Sequence, residues 1–152
     1  MDPRRYSPSE PPAPSHRPST LESWRSSGLV LVVDDEPTVR DVAAELLEVM
    51  GLTPHACESG ESAIAYFRQH ASEVRMVLLD ARMPGLDGEQ TLRELQKLRP
   101  DVRVVLSSGL TDPGAAGEFI EGELAGFLRK PFELEEFADA VRAALESDAT
   151  GL

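Results

Sequence analysis

The sequence predicts an α/β domain: a doubly wound, five-stranded parallel sheet with five helices packed on its two faces. Two observations carry that expectation. Unbroken apolar runs such as "LVLVV" and "MVLL" read as strands buried on both faces, as in parallel sheets. Between such runs the apolar residues switch to helical spacing, so strand and helix signals alternate five times. Strict alternation calls for right-handed crossovers, with helices on either side of the sheet.

The first strand is expected at Leu29–Val33. Pro37 then suits a first helical position, and Val39, Val42, Ala43, Leu46, Leu47 and Met50 recur at helical spacing until Gly51 stops them. "TPHAC" is a short, weaker strand, and Ala63, Ile64 and Phe67 mark the helix that starts after Ser59 or Gly60. The third strand covers residues 76–79. Leu92, Leu95 and Leu98 stripe the third helix, which Pro100 ends. "VRVVLS" is the fourth strand. Ala116, Phe119 and Ile120 point to a fourth helix, weakened by Gly114, Gly117 and Gly122. "GFLR" is the fifth strand, and Leu134, Phe137, Ala138, Val141 and Leu145 make the last helix.

Residues 1–28 differ in kind. They hold six of the 12 prolines and almost no aliphatic residues, so they read as a disordered, partly polyproline arm. Ser19 and Glu22 have capping-box spacing and Trp24 could anchor such a turn, but the composition of the segment reads as a plain linker. The domain is expected at residues 29–148, with a tail at 149–152. No apolar run suits a signal peptide or a membrane span. Of the chain's 15 bases and 27 acids, 11 bases and 24 acids fall after residue 28. So acidic a surface repels phosphate backbones and argues against direct nucleic-acid binding. The single cysteine, Cys57, excludes an internal disulfide and reads as a packing residue in a reducing compartment, the cytoplasm.

The chemistry lies at the strand ends. Asp34 and Asp35 follow the first strand, Asp80 the third, Ser108 the fourth and Lys130 the fifth, all on one rim of the sheet. Three gathered carboxylates repel; two unit charges about 4 Å apart cost roughly 4 kcal/mol at an effective dielectric of 20. A hard divalent cation such as magnesium offsets that, and it accepts a phosphate oxygen as a further ligand. A carboxylate nucleophile, a metal, an ammonium and a hydroxyl together make a phosphoryl-transfer site. Asp34-Asp35 alone is an ordinary loop start, Asp80 alone a turn-former before Pro84 and Gly85, and Lys130 alone a surface residue. Their meeting on one rim makes the signal specific.

"VLVVDDEP", "VLLDARMPGLDG", "VVLSSG" and "GFLRKPF" resemble, in order, the motifs of the two-component response regulator receiver domain. The resemblance covers Leu29 to about Ser147. It implies a flavodoxin-like sheet of order 2-1-3-4-5 and a signalling switch rather than a turnover enzyme. By it, Asp80 is the phosphoacceptor, served by the phosphohistidine of a histidine kinase or a phosphotransfer protein. Asp34, Asp35, Asp80 and the backbone carbonyl of Arg82 hold Mg2+. Ser108 and Lys130 bind the phosphoryl group, Ser108 and Phe127 form the switch, and Arg82 and Leu110 tune dephosphorylation. A downstream protein partner is implied but not named.

Ser108 replaces the commoner threonine, and Ser107 is taken as its core-facing neighbour. An aspartate-nucleophile phosphatase of the haloacid-dehalogenase type would need a second acid where Arg82 stands. A pseudo-receiver that works without phosphate remains as the alternative, although such modules usually lose one of the acids or the lysine. The chain stops about one turn after the last helix, which fits a stand-alone receiver or the C-terminal receiver of a hybrid histidine kinase.

Overall fold

The computed structural model describes residues 19–109 and 123–146. Chain order is α1 (Thr20–Ser23), β1 (Leu29–Val33), α2 (Pro37–Val49), β2 (Thr53–Cys57), α3 (Gly60–His70), β3 (Val74–Asp80), α4 (Gly88–Leu98), β4 (Val104–Ser108), β5 (Gly126–Arg129) and α5 (Leu134–Glu146). All strands pair in parallel, in the order β2-β1-β3-β4-β5. The predicted class and strand order are therefore observed. The expected glycine-rich fourth helix and Leu110 lie outside the described residues.

Alternation along the buried strands divides the core in two. Leu31, Val33, Val77, Leu79, Val104 and Leu106 face α3 and α4, meeting Phe67, Leu92 and Leu95. Val30, Val32, Met76, Leu78 and Val105 face α2 and α5, meeting Leu47, Phe137 and Val141. Helix starts follow local chemistry: Pro37 opens α2, Ser59 caps α3 and Asp87 caps α4, each of the last two in a capping box. Strands β3 and β4 run to Asp80 and Ser108, one residue beyond the expected ends, because Asp80 stays in register with Ser107 and Ser108 with Arg129. No helix among the described residues is long and apolar enough to cross a membrane.

Residues 19–28 correct the linker reading. Ser19 caps α1 through the box with Glu22, and Glu135 of α5 accepts from the Thr20 and Leu21 backbone N–H groups at 3.0 and 3.2 Å. Leu21 and Trp24 pack on the α2–α5 side of the core, and the Trp24 indole donates to Glu146. Ser26 donates to the Met50 carbonyl, while Arg75 donates to Ser26 Oγ and the Ser27 carbonyl. The segment is thus a strap laid over the α2–α5 side of the domain. A helix of four residues is not stable alone; its partners are about a hundred residues away in sequence, where local spacing cannot reveal them.

Gly51 lets the strap pass. Its φ is +93°, and a Cβ there would stand 2.3 Å from the Ser26 carbonyl oxygen. Gly51→Ala is expected to cost about 1–3 kcal/mol in urea unfolding. Emission from Trp24, the sole tryptophan, should shift to the red as the strap lifts. Unchanged stability and emission would show that the strap is not held at this point.

Candidate functional site

Four chain segments end at one rim. Asp34 directly follows β1, and its side chain is only 3 % exposed. One of its oxygens accepts from the Glu36 N–H at 2.9 Å, and its carbonyl accepts from Arg40 Nη1 at 2.8 Å. Asp35 beside it is exposed. Asp80, the last residue of β3, is buried. One of its oxygens accepts from Lys130 Nζ at 3.3 Å and from the Arg82 backbone N–H at 3.3 Å. Lys130 follows β5, where the Lys130–Pro131 peptide bond is cis and the Lys130 N–H donates to the Ser108 carbonyl. Its ammonium bridges Asp34 Oδ2 at 3.1 Å and Asp80 Oδ1 at 3.3 Å.

Behind Asp80 the chain turns tightly. Gly85 takes φ +79°, and the Gly88 N–H donates to the Ala81 carbonyl. A Cβ at Gly88 would approach the Asp80 carbonyl oxygen to 2.8 Å, so α4 starts against the backbone of the acid itself.

The electrostatics follow from this packing. Burial pushes the Asp80 carboxyl up to about 7; the neighbouring Asp34 charge adds to the shift, and Lys130 opposes it. For Lys130, burial works against the charge, but Asp80 and Asp34 outweigh it and hold the ammonium above its ordinary range. One ammonium therefore does not fully compensate the acids. Asp34, Asp35 and Asp80 offer ligand oxygens that all lie within 4.8 Å of one another. Hard oxygen donors at that spacing, one of them forced toward protonation, fit a magnesium ion.

The structure brings together most of the residues named from sequence. Ser107 and Ser108 are both buried at the end of β4, with Ser107 in register with Asp80. Phe127 on β5 is 38 % exposed, with its ring outside both core clusters. The Arg82 side chain is exposed, while its N–H turns to Asp80. Two contributors escaped the sequence reading. Glu36 places a fourth carboxylate 3.7 Å from Lys130, and Arg40 ties down the Asp34 backbone. Their signal was position alone: Glu36 closes the acid run, and Arg40 lies one turn into α2, facing back. Cys57 is buried and packs as expected, its thiol pushed up to about 11 by burial. His55 and His70 sandwich Tyr66, with ring centroids 3.7 and 4.0 Å from that of the tyrosine.

A parallel sheet with three acids and a lysine converging on its carboxyl rim is the arrangement of a receiver-type signalling domain. The chain belongs to the response regulator receiver domain family, whose model matches residues 30–142. Members serve two-component, phosphorylation-dependent signalling. The chain is 37 % identical over 120 residues to the sensor kinase CckA of Brucella abortus, covering 79 % of this chain and 13 % of that kinase. It is 31 % identical over 118 residues to the transcriptional regulator NtrC of Salmonella typhimurium, again spanning only 25 % of that protein. Among solved structures, the receiver domain of NtrX from Brucella abortus superposes with a TM-score of 0.72 at 33 % identity, covering 78 % of this chain and 98 % of that one.

Proposed function

We propose that this receiver takes a phosphoryl group on Asp80 from a phosphohistidine, with Mg2+ bound, and then changes its output surface. The observation that supports it is the Asp34–Lys130–Asp80 bridge with Asp35 alongside. An Asp80 oxygen attacks phosphorus; the P–O bond forms as the P–N bond breaks, and the electron pair returns to the donor imidazole. Lys130 stays charged and pairs with the phosphoryl oxygens. Asp34, Asp35, Asp80 and the Arg82 carbonyl would hold magnesium, which when bound neutralises charge on the transferring group. Ser108 closes on the phosphoryl group and Phe127 turns inward, a population shift between two states.

The phosphodonor, a histidine kinase or phosphotransfer protein, has to land beside the rim. A groove of about 280 Å³ lies there, lined by Thr38, Val39, Val42, Lys130, Pro131 and Phe132. It joins the reactive lysine to an apolar floor suited to a protein surface. The work is done in the cytoplasm, through a downstream protein rather than through nucleic acid.

Incubation with acetyl phosphate and Mg2+ tests the reading. One acid-stable, base-labile phosphate per chain is expected, and Asp35→Asn should raise the magnesium concentration required. No uptake at any magnesium concentration would favour the phosphate-independent binding module.

Lifetime is a separate expectation. Hydrolysis needs a water in line with the leaving aspartyl oxygen. A long guanidinium at Arg82 covers that path, and leucine at position 110, which lies outside the described residues, has no polar atom to orient the water. The double variant Arg82→Asn, Leu110→Glu should lose phosphate faster by roughly one to two decades, about 1.4–2.8 kcal/mol. An unchanged time course would remove both side chains from the account.

A further inference from the structure

We propose that residues 1–18 of this chain dock back into the groove between α2 and the β5–α5 loop. Three observations converge on that occupant. The first is tethering. The strap ties Thr20 and Leu21 to Glu135, which stands three residues after Phe132 in the groove wall. The segment therefore leaves the described structure beside the groove. Eighteen residues at about 3.1 Å each, as in polyproline II, reach far more than that gap.

The second observation is shape and composition. The groove is apolar, with an aromatic residue, Phe132, and a proline in its wall, and Val42 above it is 40 % exposed. Residues 1–18 carry six prolines, and aromatic-lined grooves take proline-rich segments because little order is lost on binding. The third is charge. Exposed Asp35, Glu36 and Asp41 flank one side of the groove, and Glu133 and Glu136 the other. In the segment Arg4, Arg5 and Arg17 outnumber Asp2 and Glu10 by one, so its net sign is opposite to that of the acids beside the groove, whose wall also holds Lys130.

The docking rests on the groove and the tether and does not depend on the phosphoacceptor reading. With an effective concentration in the millimolar range for a short tether, a contact of millimolar affinity is occupied about half the time.

The test uses the full chain with Ser9→Cys carrying a nitroxide. Cys57 is buried with its thiol pushed up to about 11, so the label goes to the new cysteine. Broadened amide signals at Thr38, Val39, Val42 and Phe132 are expected, recovering when Arg4, Arg5 and Arg17 are all changed to Glu. Unbroadened groove signals would overturn the proposal. So would broadening that appears only when the label and the observed nuclei are on different chains, because the occupant would then be a second copy. Acetyl phosphate labelling, run alongside, should proceed at the same rate with and without the Arg changes. If that labelling fails altogether, the phosphoacceptor reading falls while the docking result stands.

Discussion

Asp80→Asn is expected to take up no phosphate and, freed of metal, to be more stable than the wild type. The first effect is chemical: an amide oxygen is a far weaker nucleophile than a carboxylate. The second comes from the packing that makes the site. Asp80 is buried beside Asp34, and its carboxyl is pushed up to about 7, against about 3.9 in an unfolded chain. Between those values the folded state holds a proton that the unfolded state has lost. The stability contributed by this group is therefore present below about pH 4 and falls as the pH rises toward 7. Asparagine does not titrate, so it removes that slope. At pH 8 in chelator the variant should gain about 1–3 kcal/mol, less than the shift alone implies because Lys130 loses one partner. Urea unfolding at pH 5 and pH 8 reads this directly. A variant that still takes phosphate at the wild-type rate would place the acceptor elsewhere. Equal wild-type stability at both pH values would mean that neither burial nor the Asp34 charge raises the Asp80 carboxyl in the folded protein.

Lys130→Met should be the most damaging single change. The Lys130 side chain is 13 % exposed and its ammonium bridges two buried carboxylates, so its loss leaves both without that partner. Removing one partner of a buried ionic cluster typically costs about 3–5 kcal/mol. The cost should be smaller at pH 6, where Asp80 relieves part of it by taking a proton. Phosphate uptake should slow too, since the charge that meets the phosphoryl oxygens is gone. A Lys130→Met, Asp80→Asn double variant separates this account from a simple packing defect. If the damage comes from unpaired carboxylates, the second change restores much of the lost stability, and the two effects are strongly non-additive. Additive losses would show that the lysine stem, rather than its charge, is what the fold needs.

Much of this protein is written locally. The runs "LVLVV" and "MVLL" cannot be anything but buried strands once helical spacing separates them, and their ends deliver Asp34, Asp35 and Asp80 to one rim. Strand period and crossover handedness are short-range properties, so the fold class was legible from the residues, while the strand order followed from the resemblance of the motifs to the receiver family. The acids and the lysine were legible for the same reason, because a residue at the carboxyl end of a parallel strand has only one place to go.

What tertiary structure decided was pairing across distance. Lys130 lies 96 residues from Asp34 and 50 from Asp80 in sequence, and only the packing of β1, β3 and β5 brings its ammonium between them. That bridge, with burial, sets the protonation of Asp80, a quantity no local pattern carries. Glu36 and Arg40 joined the site through contacts with Lys130 and the Asp34 backbone, not through spacing. The clearest case is the strap. Its composition, rich in serine with few aliphatic residues, reads as linker, and four helical residues have no stability of their own. It becomes structure because Glu135 caps it, Glu146 holds Trp24, and Gly51 leaves room for Ser26. The free energy of such an element lies in surfaces built elsewhere in the chain, so a local reading of the sequence cannot contain it.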